Sequence, residues 1–195
     1  MFKVAVAGLP GSGKTSLVRE VRTILSLRYS TDVLEEITGR CPYDSNQRGT
    51  FAAQFFYMTT QINEENLRRE KSPDILLCDR CILDQWVYWQ RHVGKGIIQK
   101  NLLSRQEIMN ALFRFWLPSY HLIIHLRCDT ERIMARPPSS ELRHWDLDKL
   151  NDLEERYREA LEMADLPVRE VWNNQSIEEA AQSAVSIITG NLGYQ

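Results

Sequence analysis

Eight residues near the start of the chain, Gly8-Leu9-Pro10-Gly11-Ser12-Gly13-Lys14-Thr15, have the spacing G-x-x-x-x-G-K-[ST], which suits a loop that wraps phosphate. Gly8, Gly11 and Gly13 let the backbone turn tightly, so that several N–H groups converge on phosphate oxygens. A helix beginning at the loop would add the favourable end of its dipole, and Ser12 and Ser16 sit beside the same anion. Lys14 brings charge to the β- and γ-phosphates, and the Thr15 hydroxyl is a ligand for Mg²⁺. A glycine-rich turn with a chance lysine would lack the flanking pattern seen here. An apolar run, Phe2 to Ala7, precedes the loop, and apolar residues at helical spacing follow it. The expected cofactors are therefore ATP and Mg²⁺.

Further carboxylates and arginines stand where strands should end. Asp79 and Arg80 close the apolar run Ile75-Leu76-Leu77-Cys78. A parallel sheet presents such residues to its ligand edge. Asp79 could hold Mg²⁺ through water, and Arg80 could grip a phosphate or hydroxyl of a second substrate. The alternative is a surface pair that caps the next helix. Glu35 and Glu36 come at the end of a second strand, near Arg40. Neighbouring strand residues point to opposite faces, so one glutamate should enter the cleft, as a base or a sugar ligand. Arg127, Arg132 and Arg136 follow the fourth strand, with Arg132 and Arg136 on one helical face. Arginines closing over ATP would stabilise the charge spread across a transferring phosphoryl group. Pro137-Pro138-Ser139-Ser140 marks the tip of a lid spanning about 128–145.

Those residues need a frame, and the hydrophobic pattern supplies one. Strands are predicted over Phe2–Ala7, Thr31–Ile37, Asp74–Asp79, His121–Arg127 and Pro167–Trp172. Helical spacing covers Lys14 to about Leu27, Thr50–Lys71, Cys81–Arg91, Ser104–Trp116 and Asp129–Arg136. A further helix carries Leu147, Leu150, Leu153, Tyr157 and Leu161 on one face, and Ser176 caps a closing helix to Ile188. Apolar strands alternating with helices demand a parallel sheet covered on both faces, a three-layer α/β/α domain.

The chain has 195 residues, 43% hydrophobic and 26% charged, with a formal net charge of −2. That size fits one domain with a small lid. The charge argues against a surface built to coat nucleic acid. No apolar run approaches the ~20 residues needed to cross a bilayer, and the pattern of a signal peptide is missing. The expectation is a cytoplasmic protein with no membrane partner. Cys78 and Cys81 form a C-x-x-C without a second pair, which reads as buried packing rather than as a metal or redox site. A small GTPase would need D-x-x-G and N-K-x-D, but the chain has Asp79-Arg80-Cys81-Ile82 and Asn173-Asn174-Gln175-Ser176. The serine-glycine-glycine signature of transporter ATPases is missing too.

With these residues in place, the chain resembles the P-loop nucleoside and nucleotide kinases, such as thymidylate kinase, the deoxynucleoside kinases and their uncharacterised ATP-binding relatives. The likeness spans nearly the whole chain. It rests on Gly8–Thr15, Glu36 with Arg40, Asp79-Arg80, the arginine-bearing lid and the fifth strand ending in Asn173. It implies strand order 2-3-1-4-5, with an acceptor site over strands two and three. It also implies that Arg80 contacts the acceptor and that Glu36 acts as base or sugar ligand. Gln54 sits where such kinases read a base edge, and homodimers through the helices flanking the acceptor site are known among relatives. Cys41-Pro42-Tyr43, Gln54, Gln61 and Glu65 most resemble the uncharacterised relatives. The chain departs from the pattern at Cys81, where serine is usual, and in the spacing of Glu36 and Arg40. Trp86, Tyr88, Trp89 and Phe56 are candidates to stack on a base, although such aromatics are more often core.

The leading reading is ATP-dependent phosphorylation of a nucleoside or nucleoside monophosphate. A second keeps the chemistry but moves it to another small molecule or to a modified base in DNA, which the net charge disfavours. A third is a regulatory ATP-binding module with no small-molecule acceptor, which leaves the lid arginines unexplained.

Overall fold

The computed structural model of the protein describes residues 1–44, 48–96, 102–136 and 146–192. Strand β1 (Phe2–Ala7) leads into helix α1 (Lys14–Leu25), and β2 (Thr31–Leu34) is followed by a 3₁₀ turn over Ile37–Arg40. Helix α2 (Phe51–Arg69), β3 (Ile75–Asp79), α3 (Ile82–Gly94) and α4 (Leu102–Trp116) come next. Then follow β4 (Leu122–Arg127), α5 (Thr130–Ala135), α6 (Leu147–Glu162), β5 (Val168–Trp172) and α7 (Ile177–Leu192). The five strands form one sheet in the order β2-β3-β1-β4-β5, every neighbouring pair parallel. The fold class and strand order are those expected.

Alternation along the strands builds two cores. Val4 and Val6 of β1, Ile75 and Leu77 of β3, and Leu122, Ile124 and Leu126 of β4 face α1 and α7. Ala5, Ala7, Leu76, Cys78 and Ile123 face the other way, toward α2, α3 and α6. With β1 and β3 fully buried, the central strands read as unbroken apolar runs, as a sheet covered on both faces requires. The edge strand β5 differs. Only Val171 of its five residues is buried, and Arg169 and Glu170 lie exposed. Charged side chains protect such an edge from pairing with another chain.

Two further expectations change. Strand β2 stops at Leu34, three residues early, because Ile37 turns in to the core at the start of the 3₁₀ turn. Leu147 on α6 is exposed, while Leu150, Leu153 and Tyr157 carry the buried face. The tyrosine ties α6 to α3, since its hydroxyl donates to Asp84 Oδ1 at 2.7 Å. Arg91 and Arg156 add ion pairs to Asp152 at 3.1 and 2.9 Å. The proposed lid tip 137–140, and the lid as far as 145, lie outside the described residues. Among the described residues no helix is long and apolar enough to cross a membrane.

Candidate active site

The loop between β1 and α1, the Asp79–Arg80 turn, Glu35–Glu36, Arg127 and Asn173 all follow the carboxyl ends of parallel strands. They therefore share one edge of the sheet, the edge at which α/β sheets bind ligands.

The phosphate loop needs its glycines for steric reasons. Gly8 has φ +146°, and a Cβ there would stand 2.4 Å from the Leu126 carbonyl oxygen on β4. Gly13 has φ +103°, and its Cβ would stand 2.5 Å from Asn173 Nδ2. That amide donates to the Ser12 carbonyl at 2.7 Å, which fastens the end of β5 to the loop. Helix α1 starts with no side-chain cap and no acidic residue in its first turn, so its leading N–H groups are left for an anion. Lys14 is buried and donates to the Gly8 and Leu9 carbonyls at 2.8 and 2.7 Å. Burial, then the nearby Arg80 charge, lower its pKa to about 8. Ser12 is fully buried and its Oγ lacks a partner among the described residues, while Thr15 and Ser16 are exposed on the first turn of α1.

Asp79 reaches across to the loop. Thr15 Oγ1 donates to Asp79 Oδ2 at 2.6 Å. Burial raises the Asp79 pKa, and the Thr15 hydrogen bond opposes the rise. Its Oδ1 is buried without a hydrogen-bond partner among the described residues. An unsatisfied buried carboxylate oxygen is costly, and a cation beside it would relieve that cost. The pair Thr15 and Asp79 therefore fits Mg²⁺, a hard ion held by one or two protein oxygens and phosphate.

Arg80 takes a backbone conformation that side chains avoid, with φ +75°. Holding a non-glycine residue there costs on the order of 1–3 kcal/mol and persists only where the surroundings enforce it. Its buried guanidinium pairs through Nε with Glu36 Oε1 at 2.9 Å and lies 5.7 Å from the Tyr88 ring centre. Thr38 Oγ1 also donates to Glu36. Strict alternation does not sort the two glutamates, because the strand has already ended. Both border a cleft of about 240 Å³ with Thr15, Arg19, Arg22 and Asp79, and Glu36 takes Arg80.

Other expected residues are placed apart. Arg40 is exposed and pairs with Glu64 on α2 at 2.8 Å. Gln54 is buried on α2, donates to the Arg48 carbonyl at 2.6 Å, and has an Oε1 without a partner among the described residues. Arg132 is exposed on α5. Arg136 has extended backbone just beyond that helix, so the two arginines do not share a helical face. Arg136 Nη1 instead donates to the Gly11 carbonyl at 2.6 Å. Trp86 stacks on Phe113 and Trp89 is fully buried, so both belong to the core. Phe56 meets Tyr57 edge-on, which leaves half-buried Tyr88 as the aromatic beside Arg80.

Sequence reasoning missed several residues. Arg19 and Arg22 follow Thr15 at helical spacing, and that spacing is the signal that sets them on the cleft. Asp84 is fully buried and closes a capping box with Cys81, accepting from the Cys81 N–H at 2.8 Å. Cysteine in place of the usual serine therefore still serves as the cap residue of α3. Burial pushes the Cys78 and Cys81 thiols well above their ordinary value.

A family model described as AAA domain matches residues 3–180. The chain belongs to that family. Its AAA domain is thus a P-loop NTPase domain in which the motif, the strand order and the Thr15–Asp79 contact agree. No curated protein sequence matches it. Among solved structures, deoxyadenosine kinase from M. mycoides with the products dCMP and dCDP superposes with a TM-score of 0.71 at 18% identity, over 97% of this chain and all of that one. The same enzyme with dATP gives 0.67 at 19% identity, over 98% and 100%, and with dCTP 0.66 at 18%, over the full length of both. At such identities the likeness is one of fold.

Proposed function

We propose that this protein is a kinase that transfers the γ-phosphoryl group of ATP to a hydroxyl or phosphate of a nucleoside or nucleoside monophosphate. The observation that carries the reading is the ion pair to half-buried Glu36 made by buried Arg80, which is held in a left-handed turn directly after Asp79. A module that only binds or hydrolyses ATP has no use for a buried arginine held in a strained turn and paired with a carboxylate beside the loop. The solved deoxyadenosine kinase structures, which hold dCMP, dCTP and dATP, support the choice of substrate class.

In this reading Lys14 leaves its loop carbonyls for the β- and γ-phosphates, with the α1 N–H groups on the same anion. Thr15 and Asp79 would hold Mg²⁺, which when bound neutralises charge on the phosphates. Arg80 orients the acceptor, Glu36 accepts the proton of its hydroxyl or holds its sugar, and Gln54 offers Oε1 to a base. Arg136, which reaches the Gly11 carbonyl, and Arg132 on α5 would bring positive charge to stabilise the transferring group. Asn173 and Ser12 keep the loop in register.

The test is ADP release from Mg²⁺-ATP against nucleosides, nucleoside monophosphates and hydroxymethylated DNA. Stimulation by one small acceptor is the expected result. Stimulation by DNA alone would move the acceptor to the polymer, and a flat panel with tight ATP binding would overturn the kinase reading.

A further inference from the structure

We propose that the buried carboxylate of Glu65, on α2, is a positioning residue that sets the Arg80 turn through Gln61 and Tyr120. The kinetic consequence of this proposal rests on the kinase reading, but its structural content does not.

The strained turn has a partner for each backbone group that defines it. The Arg80 N–H donates to the Val6 carbonyl at 3.1 Å. The Arg80 carbonyl accepts from Gln61 Nε2 at 3.4 Å. The Cys81 N–H donates to Asp84 at 2.8 Å, and the Ile82 N–H donates to the Tyr120 hydroxyl at 3.2 Å. Two of these four partners, Gln61 and Tyr120, are themselves fixed by one oxygen. Glu65 Oε1 accepts from Gln61 Nε2 at 2.7 Å and from the Tyr120 hydroxyl at 2.5 Å.

Hydrogen-bond polarity makes the arrangement directional. An amide NH₂ has two hydrogens. With one on Glu65, the other is aimed at the Arg80 carbonyl, and a flipped amide would set oxygen against both acceptors. A phenol has one hydrogen. Once it points at Glu65, only a lone pair remains for Ile82. Burial, then the Glu65 charge, push the Tyr120 phenol well above its ordinary value, which keeps that proton in place.

The other oxygen of Glu65 accepts from Lys3 Nζ and from Trp116 Nε1, each at 2.7 Å. Glu65 is thus 1% exposed, ionically paired and held by four donors. Such an anchor is rigid enough to enforce a disfavoured φ elsewhere, because a fully satisfied buried network specifies one geometry.

The experiment combines Lys3→Met with Glu65→Gln, which removes both buried charges together rather than stranding one. Tyr120→Phe is a second variant that deletes only the hydroxyl. Two readings are taken on each folded variant: amide hydrogen exchange at Ile82 against Ile124 in the sheet, and apparent KM for acceptor and for Mg²⁺-ATP. Exchange at Ile82 should quicken about tenfold while Ile124 is unchanged. Acceptor KM should rise about tenfold while that for Mg²⁺-ATP stays within about twofold. An Ile82 amide as protected as in the wild type overturns the proposal, as does equal weakening of both substrates. If the wild-type protein phosphorylates no acceptor, the kinase reading falls alone, and the exchange result still decides whether Glu65 holds the turn.

Discussion

The phosphate loop and the Arg80 turn lie on the same sheet edge, yet they are built by opposite means. The loop solves its steric problem with glycine, at φ values of +146°, +82° and +103° for Gly8, Gly11 and Gly13. Most of what defines it sits within eight consecutive residues. The turn solves a similar problem with arginine at φ +75°, and it draws on Val6, Glu36, Gln61, Asp84 and Tyr120. A site made from local residues can be read as a motif. One made from distant side chains can be read only after folding.

That contrast can be broken experimentally, most severely at Lys14. Lys14→Ala should lower turnover by about a thousandfold, since one preorganised donor at a developing charge contributes that much, with little change in melting temperature. Near-normal ADP release would remove the loop from the mechanism. Arg80→Ala should cost about a hundredfold in kcat/KM for the acceptor and leave ATP affinity almost unchanged; calorimetry with an ATP analogue separates the two. Equal loss of both would merge the two regions into one.

Backbone changes sharpen the comparison. Gly8→Ala should destabilise the fold by about 2 kcal/mol or more, read as a lower denaturation midpoint, because the clash is with fixed backbone of β4. Gly13→Ala should cost less, because Asn173 is a side chain and can rotate away. A reversed order would contradict the steric account.

The effect of pH is gentler. Folding lowers the Lys14 pKa from 10.5 to about 8. Phosphate favours the protonated amine, so ATP affinity should fall as pH rises through about 8, by at most tenfold per unit, and Lys14→Met should be flat. Between those two pKa values the unfolded chain binds more protons, so the stability of nucleotide-free protein should rise with pH across that window. The smallest effect belongs to Arg40. Its exposed ion pair to Glu64 should contribute under about 1 kcal/mol, and Arg40→Ala should leave the acceptor KM within about twofold.

The same division explains what was legible beforehand. β1 and α1 start where the apolar pattern and the motif place them, and Asp79 ends β3 as expected. The end of β2 is not legible in the sequence because Ile37 is apolar whether it continues a strand or turns into the core. Spacing alone puts Arg132 and Arg136 on one helical face, but α5 ends at Ala135. Gln61 and Glu65 stood out only by resemblance. Their partners Lys3, Trp116 and Tyr120 lie 62, 51 and 55 positions from Glu65, beyond any local period. The pairing of Glu36 rather than Glu35 with Arg80 depends likewise on a turn that no two-residue alternation describes.

The most direct test of the central claim is to follow the γ-phosphoryl group itself. Mg²⁺-ATP labelled at the γ-phosphate is incubated with wild-type protein and a panel of nucleosides and nucleoside monophosphates, and the products are separated. Label transferred to one acceptor, and lost in Arg80→Ala, is the predicted result. Label appearing only as inorganic phosphate, equally with and without Arg80, would contradict it.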